Sequence, residues 1–503
     1  MPATANTAID RTTPPQRRVW LFRFACVALG LLPFGIAELY LRATTQVDSG
    51  DLAIDPIFDT HQQTPLFVRD PSGDRHRIPQ SRMNFFRPAS FVANKPPRLR
   101  RIFVLGGSTV QGRPYETETA FPQWLQLRLQ TADPTHNYEV INCGGVSYAS
   151  YRVAMILDEV LGYAPDAIVL YTGHNEFLEE RSYATLPDHS GTLPGAAQRV
   201  LKRSALVQTI GRWIRPATTG QSRGTPATDR QVLSAEVETR LDLINGMERY
   251  VRDDAWRRAV AEHFATSLDR MIRACQQQQI PLIVCSPASD VVATPPMKIL
   301  SIEMDKTTRS VFDENWQLAC DADRDDEQRI EACENCLRID PQHCGAQFIA
   351  GKLHWNHNRS DRARPYLVAA RDNDVCPLRA TTPILQKIES VTAEHGLVAI
   401  PIVPLLDRTD AQGRPLPDGI PDPQQFVDHV HPTISGHQDI AARLARELIG
   451  VFRIEATESA ETDYQHEARE HLKTLDETYY ARGKQRLKGL QQWAAGRAGR
   501  LSL

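Results

Sequence analysis

At 503 residues the chain exceeds one ordinary compact domain, so a main domain of a few hundred residues with an insertion or appendage is expected. Its 58 basic and 61 acidic residues leave a formal charge of −3. That balance offers no global field for nucleic acid or an acidic polymer, and nucleic acid is excluded as a partner.

Residues 1–18 read as a cytoplasmic leader ending in Arg17 and Arg18, followed by an apolar segment over 19–41. Its uncharged centre is shorter than the roughly 20 residues a spanning helix needs, but Arg23 and Glu38 sit where long side chains snorkel. Trp20 and Tyr40 occupy interfacial positions, and an uncleaved transmembrane anchor is the favoured reading. A cleaved signal peptide is the alternative, although no small-x-small cleavage site precedes Gln46, and a buried N-terminal helix is a third reading. With Arg17 and Arg18 inside and Asp48 and Asp51 outside, everything after residue 45 is expected across the membrane, periplasmic or at the cell surface. Residues 42–97 read as a linker and N-terminal extension.

From residue 98 onward, short apolar runs alternate with amphipathic stretches, the pattern of βαβ units around a parallel sheet. Strands are expected at 101–105, 138–142, 167–171, 282–285 and 398–403, with helices over 121–129, 153–161, 264–277 and 435–451. A three-layer α/β/α sandwich follows, its first part at 98–304 and its second at 375–452. The stretch from Arg181 to about Leu241 breaks the rhythm, and 217–231, rich in Thr, Ser, Gly and Pro, is expected to be mobile.

The second interruption, 305–374, is polar and helical by pattern. Ala346, Gly351, Ala363, Tyr366 and Ala370 stand at positions resembling the small and aromatic sites of a tetratricopeptide repeat, while an ordinary helical hairpin explains them equally well. This insert is a candidate surface for a protein partner. Cys320, Cys333, Cys336, Cys344 and Cys376 crowd into this part of the chain, so local disulfides are expected, with free buried thiols as the alternative. A zinc site is the weakest reading, because Cys333-Glu334-Asn335-Cys336 lacks a second well-spaced ligand pair. Residues 453–503 read as a C-terminal helical extension, with Tyr479, Tyr480, Leu487, Leu490 and Trp493 forming an interaction face or docking on their own domain.

Chemistry gathers at the strand ends. The first strand runs into Gly106-Gly107-Ser108, the second ends in Asn142-Cys143-Gly144-Gly145-Val146-Ser147, and the third in Gly173-His174-Asn175-Glu176. Near the end comes Asp428-His429-Val430-His431. A serine at the C-terminal end of a strand lies on the edge where open α/β sheets bind ligands. Together these four elements resemble the sequence blocks of the SGNH hydrolases, also called GDSL-type lipases and esterases, over about residues 98–183 and 260–450. The resemblance implies a five-stranded parallel, flavodoxin-like sheet.

By position, Ser108 is similar to the family nucleophile, while Asp428 and His431 match its terminal D-x-x-H and would complete a catalytic triad. The resemblance implies an oxyanion hole built from the Ser108 N–H, the Ser147 N–H and the Asn175 amide. Three departures stand out: Gly107 replaces the aspartate of the family's name motif, Ser147 occupies the usual glycine position, and Glu176 replaces an aspartate. Singly, Ser108 or Asp428 could cap a helix and Asn175 could fix a turn. His429 and His437 read as surface or helix residues, and His174, beside Asn175, as bonded within its own loop, with contact to substrate as the alternative.

The resulting expectation is hydrolysis of an acyl or acetyl ester on an envelope glycan or lipid. Transfer of the acyl group to a sugar hydroxyl, or a catalytically silent binding module, are the alternatives. No metal or organic cofactor is required.

Overall fold

The computed structural model describes residues 65–179, 245–409 and 414–495 without a break, together with scattered positions including Asp55, 57–59, Arg181, Tyr183, Leu233–Ser234 and 239–241. The chain divides into two compact units, Met1–Leu52 with Pro187–Asp229, and Ala53–Leu186 with Arg230–Leu503. Of the first, only Leu29, Leu32, Pro33 and Tyr40 are described, so the expected anchor over 19–41, apart from these four positions, and the whole 217–231 stretch lie outside the described residues. No described helix is long and apolar enough to cross a membrane.

In the second unit the core strands are β1 (Leu99–Gly106), β2 (Asn137–Gly144), β3 (Ala167–Tyr171), β4 (Leu282–Ser286) and β5 (Ile400–Pro401). All pair in parallel, in the order β2-β1-β3-β4-β5. Strand order therefore reverses between β1 and β3, a switch point that opens a crevice beyond the carboxyl ends of these strands.

Helices cover both faces. α1 (Ser108–Gln111) and α2 (Phe121–Ala132) follow β1, α3 (Ser150–Val160) follows β2, and α4 (Asp254–Gln277) precedes β4. Alternate residues Ile102, Val104, Val169 and Ile283 face one layer, where Trp124 and Leu125 of α2 pack with Ile440 and Leu444 from near the chain's end. Fully burying each such side chain is worth about 1.5–3 kcal/mol. α3 and α4 pack together on the opposite face. α4 begins at Asp254 rather than near Phe264, because the Asp253 carboxylate accepts the Trp256 N–H at 2.8 Å and starts the helix earlier.

Between β4 and β5 the chain leaves the sheet through α5 (Lys306–Cys320), α6 (Asp326–Ile339), α7 (Cys344–Asn356) and α8 (Ser360–Asp372), then returns by α9 (Thr382–Glu394). α7 and α8 pack closely because Gly351 has no side chain: a Cβ there would lie 2.8 Å from the Leu367 Cγ. At the base of this excursion the buried Asp374 carboxylate accepts the N–H groups of Met297 (2.7 Å), Lys298 (3.0 Å) and Cys376 (3.0 Å).

The expected local disulfides are absent among the described residues, where every cysteine is a free thiol. Cys333 and Cys336 belong to the apolar core of α5–α7, and Cys376 packs in a separate cluster with Tyr250 and Leu241. Burial pushes the Cys336 and Cys344 thiols up to about 12, so they behave as apolar filling. The expected fifth strand also shrinks from 398–403 to Ile400–Pro401: it lies at the sheet edge, Pro401 has no N–H to pair, and Val398 is 90 % exposed.

α10 (Ile434–Phe452) completes the sheet's first covering layer. The C-terminal extension forms two helices, α11 (Ala460–Lys473), packed on α2, and α12 (Glu477–Ala495). Tyr479 of α12 shares a 2.7 Å hydrogen bond with the Thr119 hydroxyl and stacks over Tyr115, so this end of α12 docks on its own domain.

Candidate active site

The β1 strand ends at Gly106, and Gly107 turns the chain so that Ser108 opens α1. As the first helical residue, Ser108 has an N–H with no partner inside the helix. Its hydroxyl does not cap α1: the Ser108 Oγ lies 2.7 Å from His431 Nε2. His431 Nδ1 lies in turn 2.6 Å from Asp428 Oδ2. With the carboxylate beside it, Nδ1 carries the proton and Nε2 is free to accept the serine proton.

The Asp428-x-x-His431 spacing is held by the aspartate itself, whose Oδ1 accepts the Val430 and His431 N–H groups, both at 2.9 Å. Asp428 therefore does not cap α10, as one reading of the sequence suggested. Thr433 does so, accepting the Gly436 N–H at 3.1 Å. Burial opposes charge on Asp428, but His431, His429 and these hydrogen bonds hold its carboxyl well below the usual carboxylate range. Thr109 ties the two halves together, donating to the Val430 carbonyl at 3.4 Å.

Asn175 reaches the same turn from β3. Its Nδ2 donates to the Tyr148 carbonyl at 3.0 Å, joining the third loop to the second and leaving one amide hydrogen for another acceptor. Ser147 sits on that second loop with φ 62°, and its N–H donates to no described acceptor. The Glu176 carboxylate accepts both the Ser150 N–H and the Ser150 hydroxyl at 2.8 Å, fixing the start of α3 to the loop that carries Asn175. The longer side chain at 176 thus spans two loops.

Three histidines surround His431: His174 and His437 are buried and His429 is half-buried. His174 bonds outside its own loop: its Nδ1 accepts the Ala380 N–H at 3.1 Å, because the chain returning from the insert passes beside β3. Burial first, then His429 and His431, lower its pKa to about 3. His429 is pushed down to about 4 by burial despite Asp428, and its ring stands edge-on to His431. His437, inside α10, accepts the Phe121 N–H at 3.3 Å and is lowered to about 3, again chiefly by burial. All three are neutral near pH 7 and set no like charge against a proton on His431.

Several contributors escaped the sequence reading. The segment assigned to a linker supplies Phe85, whose carbonyl accepts the Val146 N–H (2.9 Å) and the Gln111 amide (2.8 Å), bracing α1 and the second loop. Arg82 donates to the Tyr148 hydroxyl at 2.8 Å. Two adjacent aromatics, Phe85 and Phe86, were the available signal that this extension packs rather than wanders.

No family model matches the chain, and no curated protein matches its sequence. Among solved structures, a protein from Desulfitobacterium hafniense DCB-2 assigned to the G-D-S-L family of lipolytic proteins aligns over 69 % of this chain and 98 % of its own, at 11 % identity and a TM-score of 0.28. The chemistry open to this chain is accordingly read from the contacts of Ser108, His431 and Asp428.

Proposed function

We propose that this chain is a serine hydrolase of carboxylic esters. The observation that carries the reading is the continuous relay of Ser108 Oγ, His431 Nε2, His431 Nδ1 and Asp428 Oδ2, with steps of 2.7 and 2.6 Å across the occupied bonds. Ser108 attacks the ester carbonyl as His431 takes its proton; His431 then protonates the leaving alcohol, and water returns the acyl-serine to the free enzyme. Asp428 holds the imidazole tautomer and offsets its charge. The Ser108 N–H, the Ser147 N–H and the second Asn175 amide hydrogen receive the oxyanion, each donor being worth roughly 10²–10³ in rate.

The substrate class is an acyl or acetyl ester of an envelope glycan or lipid, met by an enzyme tethered through residues 19–41 with its catalytic unit outside the cytoplasm. The tetratricopeptide-like insert serves as a partner surface. A cleft of about 980 Å³ on it, floored by Ile330, Leu337 and Tyr366 and rimmed by Glu327, Glu331 and Glu334, supports that role.

The test is hydrolysis of para-nitrophenyl acetate and butyrate by the full chain, Ser108→Ala and His431→Ala. Loss of turnover in both folded variants supports the reading; wild-type inactivity, or turnover that survives both substitutions, removes it.

A further inference from the structure

We propose that Arg113 forms an anion subsite beside Ser108, so that the ester this chain acts on is carried by a molecule bearing a carboxylate or phosphate group. The inference rests on the reading of Ser108 as nucleophile and narrows its substrate.

Gly112 ends α1 in a left-handed conformation, φ 97°, and the next N–H, that of Arg113, donates to the Ser108 carbonyl at 3.2 Å. The Arg113 main chain is therefore one helical turn from the nucleophile, and its guanidinium lies within electrostatic range of Asp428. Arg87, Arg486 and Glu116 also surround it.

The local charges do not balance. Glu116 Oε2 pairs with Arg87 and its Oε1 with Arg486, so both carboxylate oxygens are engaged. Asp428 is equally occupied, one oxygen by two backbone N–H groups and the other by His431. The Arg113 guanidinium has no ion-pair partner among the described residues, and its buried Nε has no acceptor. Three guanidinium groups thus face two carboxylates, Glu116 and Asp428, whose oxygens are all engaged by other groups. Burial, Arg87 and Arg486 all work against the charge on Arg113, yet an arginine stays protonated at neutral pH.

Such an arrangement is held together most simply by an anion from outside, and the planar fork of arginine matches a carboxylate or phosphate through two parallel hydrogen bonds. The loop that follows Arg113 is tied down: Arg486 of α12 donates to the Pro114 and Tyr115 carbonyls at 3.4 Å, and Tyr479 bonds Thr119. The near-neutral charge of the whole chain has no bearing on so local a site.

The test compares the full wild-type chain, Arg113→Gln and Arg113→Lys on three acetyl esters: neutral para-nitrophenyl acetate, para-acetoxybenzoate and para-acetoxyphenyl phosphate. Taking variant-to-wild-type ratios cancels the esters' intrinsic reactivities. We expect Arg113→Gln to lower kcat/KM on an anionic ester about tenfold more than on the neutral one, and Arg113→Lys to restore part of the difference. The difference should shrink with added salt. The larger loss identifies the anion, on the benzoate a carboxylate and on the aryl phosphate a phosphate. Equal losses on all three esters overturn the subsite while leaving the hydrolase reading intact. If no ester is turned over, the hydrolase reading fails and the subsite is judged by calorimetric titration with an oligogalacturonate and with phenyl phosphate. Binding that Arg113→Gln abolishes upholds it, and binding that is absent or insensitive to the substitution overturns it.

Discussion

Gly107 and Asn175 meet at the Ser108 turn: a Cβ built on Gly107 would lie 2.5 Å from the Asn175 Nδ2. The absence of a side chain at Gly107 is thus what lets the Asn175 amide approach the Ser108 turn. Gly107→Ala should push this amide away from the oxyanion position and leave the sheet intact. Steady-state kinetics on para-nitrophenyl acetate should show kcat lower by about 10²-fold, with KM little changed. An alanine variant with normal kcat would show that the amide has no part in the reaction.

Asp428 is tested apart from the fold by Asp428→Asn. The amide keeps an oxygen for the Val430 and His431 N–H groups, but its NH₂ faces His431 Nδ1 and favours the opposite tautomer. The expected outcome is a loss of roughly 10²–10⁴ in kcat with a near-native circular dichroism spectrum. Full activity would mean that the carboxylate serves only its turn.

Legibility differed by the range of the interaction. The central strands β1, β3 and β4 announced themselves as short β-branched runs, since strands buried on both faces need little else, whereas the edge strand β5 was read too long. Ser108, Asp428 and His431 were legible because each stands in a compact local motif at a strand or helix boundary. His174 was misplaced because its partner Ala380 comes from 206 residues further along. The cysteines were misread because buried thiols also serve as apolar filling: Cys333 and Cys336 share one core cluster without bonding, and Cys376 falls in another. Arg113 carried no signal, because its want of a counter-ion appears only once Arg87, Glu116 and Arg486 converge from three parts of the chain.

Glu176 offers a test of positioning. Glu176→Ala removes both acceptors from Ser150 and frees the loop carrying Asn175 from α3. We expect kcat to fall by about 10–10²-fold while KM stays within twofold, and Glu176→Gln, which retains one acceptor, to recover part of the loss. A variant that loses kcat and KM together with its melting transition would reveal a structural role alone.

Asp374 gives a pH-dependent prediction whose sign follows from its burial. Burial raises this carboxyl to about 6, even against the opposing charge of Arg379, whereas its reference value is 3.8. The native state therefore binds the Asp374 proton more tightly than the unfolded chain does. Stability from this group is fully present below about pH 4 and is lost as pH rises through about 6, a difference on the order of 3 kcal/mol. Asp374→Asn abolishes the titration and also disturbs the acceptors for Met297, Lys298 and Cys376, so it should be less stable at every pH. The informative quantity is the gap between wild type and variant in urea unfolding, which should widen in favour of the wild type as pH falls from about 7 to about 4. A constant or narrowing gap would show that the three N–H groups and Arg379 keep the carboxylate ionised, and that the base of the insert is held by charge rather than by a shared proton.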